Sequence, residues 1–361
     1  MTALQIGLIL GVGGIVLNVG GRLLIAYFRT ANYFGKHVAT AERLGVKERT
    51  VQVRDGLELC IAEGPTGGMP LLLIPGQGLV WQEYCKAMPQ LIGTFHLVSV
   101  DVHGHGRSTW NPADYSGVQI ADDLAALLEQ VFDEPAVVAG HSSGGLIAAL
   151  MAARHPEQVR GVVLEDPPLF STEPDRVPAT YVGVDTFAAA TTFLAQTDER
   201  DWLAWYLPRS YWQRMFKGLW PIFTREVLRQ RRAAPDALPV IRWLGVKINR
   251  IWETLCHPFG LRFTARFADN TWFAGFDQAK TLAAITCPTV FLKATTRFDK
   301  QGILLAALSD DDLARVESLL VDNHTIRIRG GHDLHFSHTK AYTKALVDFA
   351  RRVKAATEAS P

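Results

Sequence analysis

Cysteine is scarce in this 361-residue chain, with only Cys60, Cys85, Cys256 and Cys287. No two of them form a C-x-x-C pair, and their spacing fits no zinc pattern. A disulfide framework is therefore not expected, and the four read as buried thiols in a reducing compartment. Excess charge is missing too. Thirty-seven Lys and Arg against 36 Asp and Glu leave a net +1, so bulk electrostatics points to no nucleic-acid partner. There is no phosphate loop, internal repeat or low-complexity tract. Gly11-x-Gly13 follows no strand and is not a dinucleotide signature, so no cofactor is implied.

One further absence is local. Met1 to Gly21 contain no charged side chain. About 20 helical residues at a ~1.5 Å rise cross a ~30 Å hydrocarbon core. No basic residue precedes the stretch, which argues against a cleaved signal peptide. Residues 1–28 are read as an N-terminal membrane helix, a buried soluble helix being the alternative. Arg22, Arg29, Lys36, Arg43 and Lys47 follow it against the single acid Glu42. The positive-inside rule then makes it a single-pass anchor with the bulk of the protein in the cytoplasm. Gly7, Gly11, Gly14, Asn18 and Gly21 fall on one helix face. That small-residue stripe would let two copies approach closely, giving a homo-oligomer, unless it is plain glycine enrichment.

What is present is a packed globular composition, 48% apolar and 20% charged. Residues 29–48 read as a connector. Thr50–Arg54 and Glu58–Glu63 flank Asp55-Gly56, a hairpin signal. Strand-like runs follow at Leu71–Ile74, His96–Val100, Ala136–Ala139 and Gly161–Leu164, with helical spacing at Val118–Phe132 and Gly144–Arg154. The rhythm returns with strands at Thr289–Lys293 and Thr325–Ile328 and helices at Asp311–Leu320 and Lys340–Lys354. This predicts an α/β fold, one mostly parallel sheet flanked by helices, with its core in 49–168 and 280–361. Residues 169–279 break the rhythm and read as an inserted helical lid. Seven of the nine tryptophans lie between Trp202 and Trp272, and Trp202 to Arg266 hold twelve Lys or Arg against three acids. That segment is either a lid resting on anionic headgroups or a cap with a Trp core and a solvated basic face.

The most informative segment is Ala136-Val-Val-Ala-Gly-His-Ser-Ser-Gly-Gly145. A short apolar strand runs into G-x-S-x-G, and helix-forming residues follow. Such a turn lifts the Ser142 hydroxyl above the sheet and points a helix amino end at it. The backbone N–H of Ser143 becomes an oxyanion donor. A serine needs a base and an orienting carboxylate to act as a nucleophile.

This segment resembles the α/β-hydrolase superfamily, over roughly 49–168 and 280–355. Leu-Ile-Pro-Gly-Gln-Gly78 is similar to the family's oxyanion loop, with Pro75 where His is usual. Asp101-Val-His-Gly-His-Gly-Arg-Ser108, Val163-Leu-Glu-Asp-Pro-Pro168 and Arg329-Gly-Gly-His332 resemble further loops of that family. The resemblance implies Ser142 as nucleophile, His332 as general base, and Gln77 as the second oxyanion donor, its side chain lining the acyl site. It places the acid in the loop after the seventh strand. Arg297 stands at the usual spot and Asp299 lies two residues on, so Asp299 is the expected acid and Asp166 the alternative. His103, His105, His332 and His335 could suggest metal ligands, but the serine apparatus and loop geometry account for them and no metal is expected. The implied activity is a membrane-anchored serine hydrolase acting on a small-molecule or lipid ester. An acyltransferase, a thioester, amide or carbon–carbon hydrolase, and a non-enzymatic receptor remain open on the same residues.

Overall fold

The computed structural model describes residues 20–22, 24–25, 27–196 and 200–359. Most of the expected membrane helix, and every residue of the small-residue stripe except Gly21, lies outside them. Among the described residues no helix is long and apolar enough to cross a membrane.

The chain clusters into two compact units. The larger, Val38–Arg200 with His257–Pro361, is built on an eight-stranded sheet in the order β1-β2-β4-β3-β5-β6-β7-β8. β1 (Lys47–Arg54) and β2 (Leu57–Glu63) form the hairpin expected at Asp55-Gly56, where Gly56 takes φ 74°. β2 is antiparallel to β4 (Phe95–Val100). β3 (Met69–Ile74), β5 (Ala136–His141), β6 (Val159–Glu165), β7 (Thr289–Lys293) and β8 (Asn323–Arg327) continue the sheet in parallel. The central strands are apolar on both faces, as strands covered on both sides must be. Leu72, Ile74 and Val138 pack into one core, and Leu71, Leu73, Val137 and Ala139 into the other.

Helices cover both faces. The stretch read as a connector holds α1 (Gly35–Arg43) and the start of β1. On one face α2 (Gly117–Val131) buries Ile120, Leu124, Leu127 and Val131, spaced as one helical stripe. Ser116 caps it by accepting the Gln119 N–H. Beside it, α3 (Ser143–Arg154) is buried nearly all round.

The smaller unit joins residues 1–37 to Asp201–Cys256. Its elements include α4 (Trp212–Phe216), α5 (Trp220–Ala233) and α6 (Val246–Glu253). Trp220, Phe223, Val227 and Trp252 form its core, and both indole N–H groups are satisfied, by Leu207 O and Pro239 O at 2.9 Å each. The 169–279 segment expected to form one lid is thus divided. Residues 169–200 and 257–279 belong with the sheet, where α7 (Leu261–Ala268) contributes Phe263 and Phe267 to the main core beside Trp272.

In the larger unit, α8 (Asp310–Leu319) starts with a capping box between Ser309 and Asp312. The closing α9 (Thr339–Ala359) covers the second face with Tyr342, Leu346, Phe349 and Val353.

Candidate active site

The parallel strands β3, β5, β6, β7 and β8 end along one edge of the sheet, and the chemistry-bearing residues follow those ends. After β5 the chain turns at Ser142, whose φ of 56° and ψ of −123° lie in a region non-glycine residues avoid. The glycines on either side make the turn possible. A Cβ on Gly140 would sit 2.0 Å from Gly144 O, and one on Gly144 would sit 2.2 Å from Ile74 O. Both obstacles are backbone. The Ser142 N–H donates to Glu165 O at 3.0 Å, which ties the turn to the end of β6.

α3 begins at Ser143, so its first N–H groups have no acceptor within the helix. The loop after β3 faces the same turn. A Cβ on Gly76 would lie 2.9 Å from the Ser142 Cβ. In that loop the Leu79 N–H bonds Gly76 O at 3.1 Å and the Gly78 N–H bonds His105 Nε2 at 3.0 Å. Among the described residues no protein acceptor takes the Gln77 N–H. The Gln77 side chain donates to Thr264 Oγ1 at 2.8 Å.

His332 sits after β8 with Nδ1 2.8 Å from Asp166 Oδ2. A carboxylate only accepts, so Nδ1 carries a proton, and in the neutral ring Nε2 holds a lone pair. Asp166 follows β6, is fully buried and takes φ 45°. Its other oxygen accepts the Ala294 N–H at 3.0 Å and lies 3.8 Å from Lys293 Nζ. Burial lowers the Lys293 pKa, opposed by the Asp166 charge.

The acceptor bonded to His332 is Asp166 rather than the expected acid, Asp299. Asp299 closes its own loop, accepting the Gln301 and Ile303 N–H groups at 2.8 Å each. The carboxylate on His332 is Asp166, at the end of the strand adjoining β7. Lys293 went unremarked in the sequence. Its signal was a cation directly after the apolar run Val290–Leu292 of a buried strand.

Four more histidines lie around the site. His141 Nε2 is 3.1 Å from His332 O. That carbonyl can only accept, so the proton is on Nε2. Burial holds His141 well below its ordinary pKa, with the His332 and His335 rings adding to the effect. The His141 ring centroid is 4.5 Å from that of His332. His105 is depressed to about 4 by burial; Nδ1 donates to His103 O at 2.9 Å while Nε2 receives the Gly78 N–H. His103 is bonded to Asp123 at 2.9 Å. His141, Glu165 and His335 have potential ligand atoms within 4.8 Å of one another. His335 Nδ1 and His141 Nε2 are hydrogen-bonded to Glu165 and to His332 O, and the other nitrogen of each ring has no hydrogen-bond partner among the described residues.

Comparison with known proteins follows the same lines. A family model described as the alpha/beta hydrolase fold matches residues 69–201. The lipase LipV of Mycobacterium tuberculosis is 38% identical over 107 residues, covering 29% of this chain and 39% of that protein. The first curated relatives are matched over only 37–52% of their own length. Among solved structures, a membrane phospholipase A aligns with a TM-score of 0.59 at 22% identity, covering 97% of this chain and 99% of that one. An E-2-(acetamidomethylene)succinate hydrolase aligns with a TM-score of 0.58 at 18% identity, over 84% and 98% of the two chains. At such identities the structural likeness is one of fold.

Proposed function

Because the chain is an α/β-hydrolase-fold protein, we propose that it is a serine hydrolase cleaving a carboxylic ester through an acyl-enzyme on Ser142. The observation that carries this reading is the Asp166–His332 bond, which leaves the imidazole Nε2 free to take a proton. Nε2 removes the Ser142 proton as Oγ attacks the carbonyl carbon. Negative charge moves to the carbonyl oxygen, where the N–H groups of Gln77 and Ser143 receive it. His332 then protonates the leaving alcohol. Water, deprotonated by the same imidazole, attacks the acyl carbon and releases acid and free Ser142. Asp166 keeps the tautomer and stabilises the imidazolium without taking the proton itself.

The substrate in this reading is an apolar or lipid ester, supplied from a membrane to which residues 1–28 anchor the chain, with the catalytic unit in the cytoplasm. Support comes from the uncharged run Met1–Gly21, the basic residues after it, and relatives named as a lipase and a membrane phospholipase.

A fluorophosphonate probe tests the chemistry directly. Labelling of the wild type and none of Ser142→Ala is expected; equal labelling of both would end the proposal. Turnover across p-nitrophenyl esters of rising chain length, with the chain in bilayers, reads the acyl preference. Acyl transfer is separated from hydrolysis by product analysis with an added alcohol. A receptor on the same fold would bind ligand and turn nothing over.

A further inference from the structure

We propose that the unit joining residues 1–37 to 201–256 carries a second, peripheral membrane contact, an apolar face edged with cations that docks on an anionic bilayer. This deepens the proposed anchoring and does not depend on the Ser142 chemistry.

The face is assembled from three segments. Leu24 and Phe28 come from the helical residues at the start of the described chain, Met215, Leu219 and Ile222 from α4 to α5, and Trp243 from the loop before α6. Each of these six side chains is more than half exposed. Large apolar groups left in water together are unusual on a soluble surface and mark a contact site. Contacts made by Trp243 and by sequence neighbours of the others tie the segments to one another. The Arg242 guanidinium lies 5.4 Å from the Tyr27 ring and bonds its hydroxyl at 3.3 Å. Its neighbour Trp243 packs edge-on against Phe223, the residue after Ile222, at 5.7 Å. Phe216, the residue after Met215, packs on Phe223 at 5.6 Å.

Charge identifies the occupant. Residues 201–256 hold ten Lys or Arg against four acids. Two of the acids are committed within the unit: Glu226 pairs with Arg229 at 2.7 Å, and buried Glu253 pairs with Arg250 at 3.1 Å and accepts the Tyr33 hydroxyl at 2.7 Å. Arg214, Lys217, Arg225 and Arg242 are exposed and lie beside or within one turn of the apolar tips in sequence. Apolar tips at acyl depth with cations at headgroup level suit an interface that is apolar inside and negative outside. A second copy of the same face would set cation against cation. Trp243, with an indole that tolerates both phases, is the residue type enriched at that depth. The placement also continues from the uncharged Met1–Gly21 run, which would hold this unit at the bilayer.

The test uses the full chain in vesicles, with an environment-sensitive NBD label on Leu219→Cys, on Trp243→Cys, and on Asp55→Cys in the β1–β2 turn as control. In phosphatidylcholine vesicles containing phosphatidylglycerol, the labels at 219 and 243 should shift to the blue and be quenched by doxyl lipid, and the label at 55 should do neither. In pure phosphatidylcholine the shift should weaken. High salt should weaken it as well, because the screening length falls from ~10 Å at 0.1 M to ~3 Å at 1 M. Arg214→Glu with Lys217→Glu should abolish the dependence on phosphatidylglycerol, and Ser142→Ala should leave it intact. Binding to neutral vesicles reads the N-terminal anchor separately. Water-exposed labels in both lipids would overturn the proposal. So would a shift that needs no lipid and grows with protein concentration, since the face would then join copies of the chain.

Discussion

Glu165 Oε1 accepts two hydrogen bonds from His335, from its backbone N–H at 2.8 Å and from Nδ1 at 2.9 Å. On the other side, His335 Nε2 lies 3.6 Å from Glu83 Oε2. The rings of Tyr84, His141 and Tyr342 surround it at 4.7, 4.8 and 6.1 Å. Burial alone would push the imidazole down, but the two carboxylates outweigh it and raise its pKa to about 9. Between the ordinary value near 6.5 and about 9, the folded state binds a proton that the unfolded state has lost. The resulting stabilisation is complete below pH ~6.5 and is lost as pH rises through about 9; its size is of order 3 kcal/mol. Urea unfolding of wild type and His335→Gln across pH 6 to 10 checks this. The difference between the two should shrink with rising pH. A constant difference would mean that His335 is held neutral. Because the Glu165 carbonyl also receives the Ser142 N–H, and His335 lies three residues after His332, ester turnover should fall over the same alkaline range.

Asp166→Asn should lower kcat by about 10⁴-fold, because an amide donates where His332 needs an acceptor and so selects the wrong tautomer. Asp299→Asn keeps a turn acceptor for the Gln301 and Ile303 N–H groups and should leave kcat/KM within a few-fold of wild type. Steady-state kinetics on a p-nitrophenyl ester separates the two. The reverse ranking would return the acid to the loop after β7.

The ambiguity between these carboxylates is physical. β6 and β7 are parallel neighbours, so residues just past either end arrive at the same edge of the sheet, and one imidazole can be reached from both. Asp166 gains its place through φ 45°, the Ala294 N–H and Lys293, three contributions with no linear pattern. The elbow was legible because everything it needs is contiguous: an apolar strand, Gly140, Ser142, Gly144 and a helix. The hairpin at Asp55-Gly56 was legible for the same reason. The lid was only half legible. Trp272 looks like part of one aromatic cap with Trp220 and Trp252, yet it packs on Phe267 at 4.4 Å in the main core, and no local periodicity encodes which core an aromatic joins.

Ser142→Gly should abolish turnover and raise stability. The serine holds φ 56° against its intrinsic preference, at a cost of order 1–3 kcal/mol, and glycine adopts that conformation freely. Glycine also has more unfolded freedom to lose, so a net gain near 1 kcal/mol is expected. Ser142→Ala keeps the strain and should leave stability close to wild type. Thermal melts of the two variants, side by side, read the difference. Equal melting temperatures would mean that the elbow stores no strain at Ser142.

His105 offers the last test, through a bond that reaches the oxyanion loop from outside it. Its Nε2 accepts the buried Gly78 N–H at 3.0 Å, next to the Gln77 N–H assigned to the developing oxyanion. Burial keeps the ring neutral down to about pH 4, so the acceptor persists across the working range. His105→Phe fills the space between Phe259 and Phe263, whose rings lie 4.7 and 4.8 Å away, but leaves the Gly78 N–H unpaired. A stranded buried donor costs about 1–3 kcal/mol. The loop can avoid that only by turning Gly78 elsewhere and moving Gln77 with it. We therefore expect kcat to fall more than KM changes, and a tetrahedral boronate inhibitor to bind more weakly in proportion to the lost kcat/KM. A variant that loses stability yet keeps wild-type boronate affinity would show that the loop holds Gln77 without His105.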